Sequence, residues 1–222
     1  MCYPLTLTDS FSRYLLGCWG LVHPANLPTR ACFEIAFREY GLPNAIRTDN
    51  GVPFASVGLG GLSSLAVWFV KLGIQPERIE KGHPEQNGRH ERMHRTLKAE
   101  AISPPRKSLN EQQRAFDRFR RVYNDDRPHE ALGQKPPMSA YRHSDRVYPA
   151  RLPEVEYPSS YTLRQVKENG ALKWKGTELY LSGALAKELV GLEEIDNGVW
   201  KIFFSFYPVG VLNERNLKIT SR

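Results

Sequence analysis

Over its first hundred residues the chain alternates short β-rich runs with segments of helical spacing. That alternation restricts the fold more than any other feature. "CYPLTLTD" and "RYLLGCWGLV" flank the turn-like "DSFS", which predicts a hairpin. "PTRACFEIAFREYG" has helical spacing, with Ala31, Ile35 and Phe37 expected inward and Gly41 as the stop. "NAIRTDNG" reads as a short strand running out into a turn at Asp49-Asn50-Gly51. The glycine-rich "VGLGGLSS" leads into a helix over "LAVWFVKLG", and "IQPERIEK" is again extended. After the polar loop "GHPEQNG" a long helix begins near Asn87, with Met93, Leu97 and Ala101 along one side. Hairpin, helix, strand, helix, strand, helix makes an α/β core with helices against a mixed sheet.

"SPPRKS" ends that long helix, and a second basic helix follows over "EQQRAFDRFRRVYN". From about Arg151 the texture changes to short β-rich pieces between turns at Glu168-Asn169-Gly170, Lys175-Gly176, Ser182-Gly183 and Asp196-Asn197-Gly198. "GVWKIFFSFYPVG" looks like strand material of a small barrel. The expected organisation is an α/β core over residues 1–105, a basic helical connector over 106–150 and a small, SH3-like β-barrel over 151–222.

Charge narrows the function. The formal net charge is +7, and residues 89–127 alone carry 11 Lys and Arg against 6 Asp and Glu. A basic stretch of that density is the electrostatic footprint of a polyanion partner. The three cysteines, Cys2, Cys18 and Cys32, lack CxxC spacing, which argues against a disulfide framework or structural zinc. No signal-peptide pattern opens the sequence, and "LSSLAVWFVKLGI" is too short and interrupted to span a bilayer. A cytoplasmic protein without membrane attachment is expected.

One motif supports two chemistries. His90-Glu91-Arg92-Met93-His94 fits HExxH, and at about 100° per residue both histidines could face one zinc ion, as in a metallopeptidase. The extended pattern would need Gly at 97 and His at 100, where Leu97 and Glu100 stand. His90 also shares a sector with Met93, Leu97 and Ala101, as a packed residue would. On the same wheel Glu91, Arg95 and Lys98 fall within about 60° of one another. A carboxylate between two cations suits a divalent ion bridging to phosphate, with the cations holding the backbone. Asp49, where a strand ends in a turn, is the second carboxylate, in the usual place for active-site groups of open α/β sheets.

The words "RTDNG", "WFVKLGI", "GHPEQNGRHERMHRTLK" and "YNDDRPHEALGQKPP", taken in order, resemble the integrase core of the retroviral-integrase superfamily, most of all bacterial insertion-sequence transposases. The resemblance implies an RNase H-like fold and metal-dependent DNA strand transfer, with an Asp-Asp-Glu set holding two Mg²⁺ (or Mn²⁺) ions. It makes Asp49 the second Asp and Glu91 the Glu, both catalytic and metal-binding. It makes Gln86, Asn87, Gly88, Arg95 and Lys98 DNA contacts, on a protein that oligomerises on DNA. The family's first Asp lies on a strand ahead of the hairpin, which is absent here; Asp9 in "TLTDSFSRY" reads as a turn residue. The expectation is therefore a truncated, catalytically incomplete copy with little strand-transfer activity alone. The alternatives are a non-catalytic DNA-binding or subunit-interacting remnant, and the zinc peptidase.

Overall fold

The computed structural model describes residues 2–49, 51, 53–54, 56, 58–79 and 88–221. They divide into two compact units, each discontinuous in sequence. The first contains Met1–Pro43 and Ile79–Tyr148, the second Asn44–Arg78 and Pro149–Arg222.

In the first unit, strands β1 (Tyr3–Thr8) and β2 (Leu15–Leu21) form the expected antiparallel hairpin, with Thr6 opposite Cys18. Asp9 does act as a turn residue: its Oδ2 accepts from both the backbone N–H and the hydroxyl of Ser12, each at 2.6 Å. Helix α1 (Asn26–Tyr40) buries Cys32, Phe33, Ala36, Phe37 and Tyr40. Ala31 and Ile35, expected inward, are on its exposed side, and only Phe37 of the three is buried. The 32-33-36-37-40 set fills the inward sector by itself and leaves no room on it for 31 and 35. Gly41, at φ 80°, stops the helix where a Cβ would stand 2.5 Å from the Ser144 carbonyl.

Helix α3 (Gly88–Leu97) continues through a π-helical stretch at Lys98–Ile102, and α4 (Leu109–Asp125) follows, capped by the Ser108 hydroxyl accepting from Glu111 N–H. Met93, Leu97 and Ala101 meet Ala115, Phe116, Phe119 and Tyr123 of α4 over Leu15 and Cys18 of the hairpin in one core cluster. Polar clamps complete that packing. Asn124 accepts from Leu15 N–H at 2.8 Å and donates to Leu15 O at 3.0 Å, Gln113 does the same with Gly20 N–H and Cys18 O, and Gln112 donates to Ala101 O. Each buried or half-buried clamp satisfies backbone groups that would otherwise lose water without replacement.

In the second unit, β3 (Ala45–Thr48) and β4 (Gln75–Arg78) pair in parallel, pinned by Arg47 to Glu77 at 2.8 Å. Between them α2 (Ser64–Lys71) is capped by Ser63 and buried over Leu65–Val70, on every side rather than along one stripe. The C-terminal strands are β5 (Thr162–Gln165), β6 (Ala171–Trp174), β7 (Thr177–Tyr180), β8 (Leu189–Asp196), β9 (Val199–Phe204), β10 (Tyr207–Asn213) and β11 (Lys218–Thr220). Five of them make an antiparallel sheet ordered β11-β10-β9-β8-β5, and β6 and β7 make a separate hairpin. Among the described residues no pairing joins β11 to β5, so the expected barrel is an open sheet plus a hairpin. Leu62, Ala66, Val67 and Val70 share one core with Val166, Leu172, Trp174, Val190, Leu192, Ile202 and Phe204. The architecture is α/β, with antiparallel and parallel pairs in separate two-stranded sheets.

Candidate nucleic-acid and metal site

Helix α3 has two faces with different chemistry. Its apolar side chains, Met93 and Leu97, are 3% and 0% exposed, which fixes the rotation of the helix on the unit. The π-helical stretch keeps the register inward: Ser103 N–H donates to Lys98 O at 3.0 Å, and Ala101 remains buried. With that side fixed, Glu91, Arg95 and Lys98 project outward and are all exposed. Glu91 sits in the first turn, where the partial positive charge of the helix N-terminus favours a carboxylate. Gly88 opens the helix with open space around it.

His90 and His94 point elsewhere. Their Nε2 atoms both lie against the Thr6 hydroxyl, at 3.1 and 2.6 Å, and His90 Nδ1 is 3.4 Å from the Thr8 hydroxyl. Their rings are 4.5 Å apart. A hydroxyl has one proton, so at most one imidazole can accept from Thr6 and the other must donate to it. The HExxH histidines are thus docking groups for α3 on β1, half-buried as their shared sector with Met93 and Leu97 implies. Thr6 and Thr8, their partners, carry no sequence signal beyond strand propensity. Among the described residues no three His, Cys, Asp or Glu side chains gather as a metal-ligand set.

Asp49 follows β3 and is exposed, and its Oδ1 accepts from Gly51 N–H at 2.9 Å. This is an Asx-type turn, which orients the carboxylate without consuming its second oxygen. Asp49 belongs to the second unit and Glu91 to the first. Gln86 and Asn87 lie outside the described residues.

Past α4, Arg127 pairs with Glu100 of the π-helical stretch. The His129 ring stands edge-on to Tyr123 at 4.9 Å, with Nε2 buried and unpartnered among the described residues. Burial, followed by the charges of Arg127 and Arg13, holds its pKa below the ordinary histidine value. Burial also pushes the Cys18 thiol up to about 12, so it is an inert core group and no nucleophile. No helix among the described residues is long and apolar enough to cross a membrane.

Comparison with known proteins bears on one segment of the chain. Residues 72–137, from the end of α2 through the loop after α4, match the integrase core domain family. The chain is similar to the 39.2 kDa protein of insertion element IS476 from Xanthomonas euvesicatoria, 31% identical over 140 residues, covering 60% of this chain and 37% of that protein. It is also similar to the 31.7 kDa protein of insertion element IS407 from Burkholderia multivorans, 28% identical over 134 residues, 60% of this chain and 46% of that one. The chain thus spans less than half the length of either relative. Among solved structures the catalytic core domain of BIV integrase aligns with a TM-score of 0.48 at 17% identity, over 63% of this chain and 90% of that one; the relationship rests on the sequence matches. The segment matched to the integrase core domain contains α3 with Glu91, Arg95 and Lys98 as well as the clamps of α4, and over that segment the chain is similar to insertion-element proteins.

Proposed function

We propose that the chain acts in DNA transposition by metal-dependent strand transfer, on an RNase H-like core, with Asp49 and Glu91 as carboxylate ligands for Mg²⁺ or Mn²⁺. The observation that carries this reading is the outer face of α3. There an exposed carboxylate in the first turn shares one face with two exposed cations further along, on a helix locked by a buried apolar side, inside the segment matched to the integrase core. The donor set suits a hard divalent cation, which takes carboxylate oxygens, retains waters and completes its shell with phosphate. Such an ion would supply activation of an attacking hydroxyl and charge stabilisation on the leaving oxygen. Arg95 and Lys98 hold the DNA backbone beside Glu91, with Gln86, Asn87 and Gly88 as further DNA contacts. On the same reading the protein acts as an oligomer on DNA.

The reading is tested by titrating Mn²⁺ into the protein, with and without a short duplex carrying the element end. Asp49→Asn and Glu91→Gln should each weaken Mn²⁺ binding by roughly tenfold or more, about 1.4 kcal/mol, and should leave duplex binding in EDTA intact. Unchanged Mn²⁺ affinity in both variants would remove the carboxylate assignment. Duplex binding retained with no specific Mn²⁺ binding in the wild type would favour a non-catalytic DNA-binding protein.

A further inference from the structure

Several arginines in the described structure are occupied. Arg30 pairs with Glu34, Arg47 with Glu77 and Arg127 with Glu100. Arg38 lies over Tyr148, Arg164 lies over Trp174, and Arg215 donates to Asn197 O. On α4 the inward Arg120 is spent on Leu16 O at 2.9 Å. Arg114, Arg118 and Arg121 of the same helix, like Arg92 and Arg95 of α3, are exposed, and their guanidinium groups make no hydrogen bond, ion pair or ring contact among the described residues.

Helix geometry puts these three on one stripe. At about 100° per residue they fall within about 60° of one another, and at 1.5 Å per residue they extend over about 10 Å. The stripe is rigid because the opposite side of α4 is held by Phe116, Phe119 and Tyr123 in the core and by the Gln112, Gln113 and Asn124 clamps. The acids beside it are engaged or lie past its end. Glu111 accepts from Lys107 N–H, Asp117 accepts from Gln113, and Asp125 comes one turn after Arg121. Three unpaired guanidinium groups at near-turn spacing repel one another unless an extended anion lies across them. Duplex DNA presents one charge per about 1.7 Å of axis, so a 10 Å stripe meets several phosphates.

We infer that the outer face of α4, through Arg114, Arg118 and Arg121, is a second phosphate-backbone contact for duplex DNA, separate from the Glu91 face of α3. This rests on the proposed function for the choice of DNA as the polyanion. The contact carries no base readout: three arginines on one straight stripe grip backbone without reaching into a groove, and so add affinity and orientation rather than sequence choice.

The experiment is fluorescence anisotropy of a labelled 30-base-pair duplex between 50 and 250 mM NaCl in EDTA. It compares the wild type, Arg114→Gln/Arg118→Gln/Arg121→Gln, the same three positions changed to Lys, and Arg95→Gln/Lys98→Gln. The Gln triple should lower the slope of log affinity against log salt by roughly 2 to 3 and weaken binding at 100 mM salt on the order of 10- to 100-fold, equally on unrelated duplex sequences. The Lys triple should recover most of the slope, which a structural defect would not allow. If the Gln triple keeps the wild-type slope while Arg95→Gln/Lys98→Gln loses it, the α4 contact is overturned and the DNA reading stands. If the wild type shows no salt-dependent binding to any duplex, both fall. Stripe-dependent binding to phosphatidylserine vesicles without stripe-dependent DNA binding would also overturn the contact and assign the stripe to an anionic membrane surface.

Discussion

Glu91 and His90 are consecutive in sequence and serve different faces of one helix. The helical wheel alone separates them, because Met93, Leu97 and Ala101 mark the inward sector and His90 falls inside it while Glu91 does not. What the wheel cannot give is the inward partner: Thr6 is 84 residues from His90, and a threonine in a strand is indistinguishable from any other strand threonine. Asp49 has two legible properties, its strand-end position and its turn chemistry, and the structure shows the turn directly. His129 was silent as a residue within the family-like word "YNDDRPHEALGQKPP" until its burial was seen. Its native pKa is depressed, so the unfolded chain binds more protons between that value and the ordinary value of about 6.5. Its contribution to stability is thus fully present above about pH 6.5 and is lost as pH falls through 6.5 towards the native pKa. His129→Phe, which keeps a ring against Tyr123 and cannot titrate, should flatten the fall in Tm between pH 7 and pH 5. Parallel Tm curves for variant and wild type, followed by scanning fluorimetry, would show that the ring does not carry the linkage.

Elements were more legible than their orientation. The hairpin, the four α-helices among the described residues and the paired strands flanking α2 follow from β-rich runs, caps and glycine stops. The inward side of α1 was misread because "ACFEIAFREY" offers apolar residues on nearly every side, and only the packing shows that Cys32 and Phe33 rather than Ala31 and Ile35 face the core. In "KIFFSFYPVG" a turn at Ser205-Phe206 was hidden, since Ser205 adopts φ 52° with no glycine to announce it. Helix α3 gives the sharpest test at this scale, because its two sides should respond differently. Leu97→Ala empties a fully buried position in the α3–α4–hairpin core and should cost about 2–5 kcal/mol, whereas exposed Arg95→Ala should stay within about 0.5 kcal/mol. Urea denaturation of both variants measures this, and equal losses would mean that α3 is rotated from the orientation described.

At the scale of the whole molecule the chain enters the second unit at residue 44, leaves it at 79 and returns at 149. Nothing in the linear order announces this, because the apolar "LAVWFVKL" of α2 reads equally well as the cover for a local sheet. Its partners are Val166, Leu172, Val190, Ile202 and Phe204, with Lys71 bonded to Glu188 at 2.6 Å. A fragment of residues 1–150 should therefore leave α2 without its core. In hydrogen exchange, amides at 64–71 should lose protection relative to the full chain while those at 109–125 keep theirs. Retained protection at 64–71 would show that α2 needs no C-terminal sheet. The same connectivity sets an order on the ribosome. Segment 44–78 emerges early with a helix apolar all round, and β10, which completes its core, is synthesised more than a hundred residues later. At typical translation speeds that is a wait on the order of ten seconds. The nascent chain carries an uncovered hydrophobic helix throughout that interval, which makes it a client for chaperones during its own synthesis.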